Sequence, residues 1–294
     1  MKRAGLIVLL YAGFSLVRLP APVPTADPDV GDYGFGQVLK HTQTGAGTVG
    51  LNSNPYAFQA FISGDGAHIA NAVINTPASG AFSLGSDADY KFGTSYQSAG
   101  FADQAALDAV FARNTGYTLA FDTPSYTGYA VTSLGLSGGA FPGVTPEVTG
   151  GGTWSGGTLL VDVTDANNYI TFNAFTGMTQ GTDYVVFDVW STTDFHASTS
   201  WSRSDGGNYY LGPEQPSGLP YLTIGDTYQA SITFMKLINI DSVSVPSETG
   251  ELGYSFMATR TYFTIQAVPE PSTYALLAAG LGLLGFRQFR RRVR

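Results

Sequence analysis

The sequence predicts a mainly β protein: antiparallel β-sandwich modules with one short helix, flanked by an N-terminal signal helix and a C-terminal transmembrane helix. Three observations carry this. Glycine is abundant, at 37 of 294 residues, while charged residues make up only 12%, a composition that favours turns and strands over solvent-facing helices. Gly, Pro, Asn and Asp recur every several residues, which is turn chemistry. Between them apolar and polar residues alternate with period two, the pattern of half-buried strands. A hydrophobic content of 44% is ample for one large or two modest cores.

The elements follow in chain order. Residues 1–26 begin with Lys2 and Arg3 and continue through an apolar stretch from Ala4 to Val17. This is the layout of a secretory signal peptide, with signal peptidase expected to cut near Ala21 or Ala26; an uncleaved anchor is the alternative. Residues 27–140 form a β-rich region with the strand-like stretches "QVLKHTQ", "YAFQAFIS", "HIANAVIN", "GYTLAFDT" and "YAVTSLGL". Within it Ala102 to Arg113, "ADQAALDAVFAR", spaces Ala105, Leu107, Val110 and Phe111 as a helix does, and "NTG" closes it. A cap over a sheet edge or a crossover between strands is its expected role. Residues 141–157, within the Gly- and Pro-rich run Gly139 to Gly157, read as a linker or long loop. Residues 158–267 form a second β-sandwich region, with "TLLVDV", "YITFNAF", "YVVFDVW", "YQASITFMKL" and "YSFMATRTYFTIQAV" as strands. Two tightly associated β modules are expected.

Charge is segregated. Of 14 basic residues, Lys2, Arg3, Arg18, Arg287, Arg290, Arg291, Arg292 and Arg294 sit at the ends, leaving six between, whereas 21 of the 22 acids lie from Asp27 to Glu251. The middle is therefore strongly acidic, which disfavours nucleic acid and anionic lipid surfaces as its partners. Cysteine is absent, which removes disulfides, thiol nucleophiles and thiolate metal sites.

No residue pattern singles out a catalytic centre. The three histidines, His41, His68 and His196, do not fall in a zincin spacing, and no Gly-x-Ser-x-Gly elbow occurs. Ser63, Asp65 and His68 are close in sequence, but a triad is a matter of geometry. Glutamates are few and lie in turns, so no acid and base pair for glycoside hydrolysis stands out. No cofactor is expected. Calcium is the one metal the sequence suggests, through the oxygen ligands Asp162, Asp165 and Asn167 in "DVTDANN"; Asx turns at strand ends explain the same residues. Trp201, Tyr209 and Tyr210, in "WSRSDGGNYY", are candidate stacking rings for a polysaccharide.

The C-terminus, residues 268–294, has three parts. Pro269, Glu270 and Pro271 fall in "VPEPS"; each proline fixes φ and disfavours helix just before it, so the stretch is extended and accessible. Tyr274 to Phe286, "YALLAAGLGLLGF", is a short apolar stretch, about 20 Å long as a helix against a hydrocarbon core of about 30 Å. A basic tail of Arg287, Arg290, Arg291, Arg292 and Arg294 follows, and it belongs on the cytoplasmic side. This order resembles the PEP-CTERM protein-sorting signal of exopolysaccharide-producing Gram-negative bacteria. The resemblance covers about the last 27 residues. It implies recognition of Pro269, Glu270 and Pro271 by a membrane-embedded exosortase, transient membrane anchoring through Tyr274 to Phe286, and passage to the cell surface or beyond. The expected function is therefore that of an exported, non-enzymatic adhesive, scaffolding or exopolysaccharide-associated protein; the alternative is a secreted glycan hydrolase or lyase.

Overall fold

Period-two alternation becomes sheet over most of the described chain. The computed structural model describes residues 27, 29–64, 68–85, 93–163, 169–179, 182–190, 195–201, 208–210, 222–241 and 253–269. In chain order the strands are β1 (Val30–Gly45), β2 (Thr48–Gly64), β3 (Ala70–Thr76), β4 (Gly80–Ser83), β5 (Gly93–Gln97), β6 (Thr118–Asp122), β7 (Tyr129–Val131) and β8 (Val148–Gly150). They continue with β9 (Thr153–Ser155), β10 (Thr158–Asp162), β11 (Tyr169–Phe172), β12 (Asp183–Trp190), β13 (Phe195–Trp201), β14 (Asn208–Tyr210), β15 (Thr227–Asp241) and β16 (Gly253–Val268). One helix, α1 (Gln104–Val110), stands between β5 and β6.

Among the described residues, a nine-stranded sheet runs in the order β13-β12-β15-β16-β1-β2-β5, with β10 beside β16 and β9 beside β10. Two smaller sheets accompany it, β14-β11-β8 and β4-β3-β6-β7. The expectation of purely antiparallel pairing is corrected here. Strand β16 is antiparallel to β15 but parallel to β1, from Tyr33↔Gly253 to Thr42↔Tyr262, and parallel to β10, from Thr158↔Thr264 to Asp162↔Val268. The physical reason is connectivity. Parallel neighbours need a long crossover, and most of the chain lies between β1 and β16.

The large sheet buries one face under two cores. The first joins Tyr33 and Phe35 of β1 and Phe58 and Ile62 of β2 to Ile74, Leu119, Phe121 and Val131 of the four-stranded sheet and to Leu107 of α1. Phe58 stacks on Phe111 with ring centroids 4.3 Å apart and planes 6° apart. The second core joins Phe187, Ile232, Phe234, Phe263 and Ile265 of the large sheet to Val148, Ile170 and Phe172 of the three-stranded sheet. Each buried aromatic or branched side chain contributes roughly 1.5–3 kcal/mol through burial.

Between the cores the same face turns polar, and the chain from Gly135 to Val148 crosses there. Ser255 Oγ donates to the Gly135 carbonyl at 2.6 Å and Thr261 Oγ1 to that of Pro146 at 2.6 Å. Gln43 holds the start of β8 like a ladder partner. Its amide donates to the Val148 carbonyl at 2.9 Å, and its carbonyl accepts from the Val148 N–H at 2.8 Å.

Helix α1 is shorter than the sequence spacing suggests. Asp103 is its N-cap, accepting from the Ala106 N–H at 2.8 Å. Buried Gln37 fastens the helix to the sheet by donating to Asp108 Oδ1 at 3.0 Å and to the Phe111 carbonyl at 2.8 Å. The expected signal helix in 1–26 and the apolar helix between Tyr274 and Phe286 lie outside the described residues. Among the described residues no helix is long and apolar enough to cross a membrane.

Strand β1 extends seven residues before the stretch that looked strand-like, through "VGDYGFG". Its glycines read as turn residues but serve a packing need. A Cβ on Gly36 would come within 2.6 Å of the Phe256 ring, closer than atoms pack. Gly36→Val is therefore expected to destabilise the fold by about 1–3 kcal/mol, as overpacking does. Urea unfolding of residues 27–268 measures it; an unchanged midpoint would mean that Phe256 does not rest on Gly36.

Candidate functional site

Alternation gives the large sheet a second face. On β16 the residues Phe263, Ile265 and Ala267 point into a core, so Tyr254, Phe256, Ala258, Arg260 and Tyr262 lie opposite. That outer face has two halves. One is apolar, formed by Val38, Phe61, Met235, Phe256 and Ala258, with Tyr184, Val186, Leu237 and Tyr254 packed against them. The other is polar, and register aligns Thr233, Arg260 and Lys40 across three strands.

Lys40 and Arg260 are direct cross-strand partners. Like charges so placed repel. Burial first, and the neighbouring Arg260 second, push the Lys40 pKa down to about 8. The guanidinium is held in place. Its Nε donates to Thr233 Oγ1 at 2.8 Å, and its carbon lies 6.0 Å from the centre of the Tyr262 ring, within cation–π range. Trp190 meets Tyr262 edge-on, with centroids 6.2 Å apart and planes at 88°. Both rings are half-buried. A half-dry cationic pair beside two amphipathic rings is chemistry suited to a polar ligand with flat apolar faces.

The second place of interest is the end of β16. The Ala267 N–H donates to the Asp226 carbonyl at 3.1 Å, and the Ala267 carbonyl accepts from the Gly225 N–H at 2.8 Å. On the other edge the Val268 carbonyl accepts from the Val163 N–H at 3.3 Å. Pro269 follows at once. Glu270, Pro271, Tyr274, Phe286 and the arginines Arg287, Arg290, Arg291, Arg292 and Arg294 lie outside the described residues.

The remaining sequence candidates are not brought together. Asp162 closes β10 opposite Val268, while Asp165 and Asn167 lie outside the described residues. Among the described residues no three His, Asp or Glu side chains gather as a metal ion requires. Trp201 ends β13 in the large sheet, whereas Tyr209 and Tyr210 belong to β14 in the three-stranded sheet. Ser63 is engaged by Asp32, which accepts from its hydroxyl through both a carboxylate oxygen and the carbonyl. His68 Nδ1 sits 2.8 Å from Asp29. His41 is buried on the core side, and its pKa is lowered by that burial.

The Lys40 and Arg260 pair was not legible in advance. Two of only six basic residues in an acidic region meet across strands 220 positions apart in sequence. The scarcity of bases was visible; the register was not.

A family model described as the PEP-CTERM protein-sorting motif matches residues 267–292. The match begins inside β16, at Ala267. No curated protein matches the chain. The motif implies exosortase processing, export and sorting to the cell surface.

The outer face makes a pH prediction. A lysine whose folded pKa lies below its unfolded value of about 10.4 binds fewer protons folded than unfolded. Stability therefore rises as pH climbs from about 8 toward the unfolded value. Tyr129, raised to about 12 by burial and by Asp27, and Tyr117, raised by burial and by Asp108, act oppositely only above about pH 10, where unfolded tyrosine ionises. Between pH 8 and 10 the urea midpoint is expected to rise. Lys40→Met should be more stable at pH 7 and flatten that rise; an identical pH profile in both proteins would refute the assignment.

Proposed function

We propose that this chain works as an exported surface or extracellular-matrix protein, sorted by exosortase, with a non-enzymatic adhesive, scaffolding or exopolysaccharide-associated role. One observation carries the reading: the sorting motif matched at residues 267–292 is continuous with the central strand of the sheet. Whatever the motif sorts is therefore the β body itself. Its mainly β build, read as a two-layer sandwich, suits a binding role in which no bond is broken. Signal peptidase at residues 1–26, exosortase at Pro269, Glu270 and Pro271, and transient anchoring through Tyr274 to Phe286 are the partners and steps this reading assigns.

The sorting part is tested by expressing the chain in an exosortase-bearing host and measuring the intact mass of the mature protein. Loss of the tail is expected in the natural sequence and its retention when Pro269, Glu270 and Pro271 are all replaced by alanine. Tail retention in both would overturn the reading.

For polysaccharide contact, the polar half of the outer face is the surface we assign, with Trp190 and Tyr262 stacking against sugars and Arg260 supplying donors. Trp190→Ala with Arg260→Ala is expected to weaken co-sedimentation with the host's extracellular polysaccharide about fivefold or more, the scale of a lost ring contact of about 1 kcal/mol. Unchanged sedimentation with an intact fold would remove this face from consideration.

A further inference from the structure

The end of β16 bears directly on how the tail is processed. A proteolytic enzyme that reads a backbone needs it extended and unpaired, with free N–H and C=O groups on both sides. In this protein the strand stays paired on both edges up to Val268. The turn Thr223–Asp226 holds Ala267 on one side, and Val163 holds Val268 on the other. Pro269, the first residue of the motif, comes next, so not one spacer residue separates the motif from the sheet.

Length sharpens the constraint. From Pro269 to the start of the apolar stretch at Tyr274 are five residues. Fully extended they reach at most about 17 Å. While the apolar stretch is in the membrane, the sheet end must stand close to the head groups. An exposed apolar side chain, Ile224, projects from the turn that grips Ala267. Two acids, Asp162 and Asp226, flank the same end.

We propose that the folded sheet restrains its own sorting cleavage: exosortase gains full access to the motif only when the last residues of β16 peel away from β10 and the Thr223–Asp226 turn. This rests on the sorting reading given above. Local opening at a strand end is cheap compared with global unfolding, so the restraint slows processing without abolishing it. In the regime where opening and closing outpace cleavage, the rate follows the population of the frayed end.

The test is the rate of tail loss, followed by pulse-chase and intact mass in an exosortase-bearing host. Three variants are compared with the natural chain. A six-residue Gly-Ser linker between Val268 and Pro269 is expected to speed tail loss about tenfold, because the motif no longer needs the strand to open. The pair Leu160→Cys and Gln266→Cys, cross-strand partners with half-buried side chains, should slow it when oxidised, and reduction should restore the natural rate. The triple alanine replacement of the motif should block tail loss. A linker variant processed no faster than the natural chain, while the alanine variant is blocked, would overturn the restraint and leave the sorting reading standing. Tail loss from the alanine variant would overturn the sorting reading itself.

Discussion

Strand β16 is the element on which the rest depends. One edge pairs with β15 over almost its whole length, and the other is shared by β1 and then β10. Its core-facing side changes character along its course. Ser255 and Thr261 hold the crossing segment by hydrogen bonds, and Phe263, Ile265 and Ala267 complete the second core. Each pairing satisfies backbone groups that would cost about 1–3 kcal/mol apiece if buried without partners. Removing this strand would split the sheet into a part built on β1 and β2, a part built on β12 and β15, and the detached hairpin β9–β10.

Division of labour between the two faces follows from this placement. The core side carries apolar side chains in two clusters, with Gln43, Ser255 and Thr261 tied to the crossing chain and the buried His41 Nδ1 left without a hydrogen-bond partner among the described residues. The outer side carries the electrostatic tension. Lys40 is half-buried beside Arg260, an arrangement that opposes stability, since burial penalises the ammonium and the guanidinium repels it. On this face Thr233 accepts from the Arg260 Nε, and Asp188 accepts from Ser231 Oγ at 3.2 Å. Like charges paired across two strands are a local conflict of the kind that gathers at functional surfaces, which is why the proposed ligand surface is assigned to this face.

What the sequence made legible was what depends on neighbours along the chain. Alternation located β10, β12, β15 and β16 within a few residues, and helical spacing located α1. The motif at Pro269, Glu270 and Pro271 was readable because a short linear signal needs no fold. Long-range pairing was not readable. Gly34 and Gly36 looked like turn residues because the reason for them, the crowding by Tyr254 and Phe256, lies on a strand more than 200 residues later. Trp201, Tyr209 and Tyr210 looked like one aromatic group because they are close in sequence, yet the chain assigns them to two sheets. Only topology could separate them, or bring Lys40 to Arg260.

The central position of the last strand also governs the order of assembly. As the chain emerges from its N-terminal end, β1 and β2 pair early as a hairpin of local contacts. The opposite edge of β1 stays open until β16 arrives, and an open edge is a hazard for mispairing. Closing it brings together residues separated by more than 200 positions, the kind of contact that folds slowly. Strand β16 is also the last described strand and runs straight into the sorting motif, so the sheet closes only once the chain up to the motif is present. Completion of the fold is thus tied by topology to the segment that leads into the motif. A strand placed at an edge would have let the body finish folding early; a strand at the centre holds it to the end.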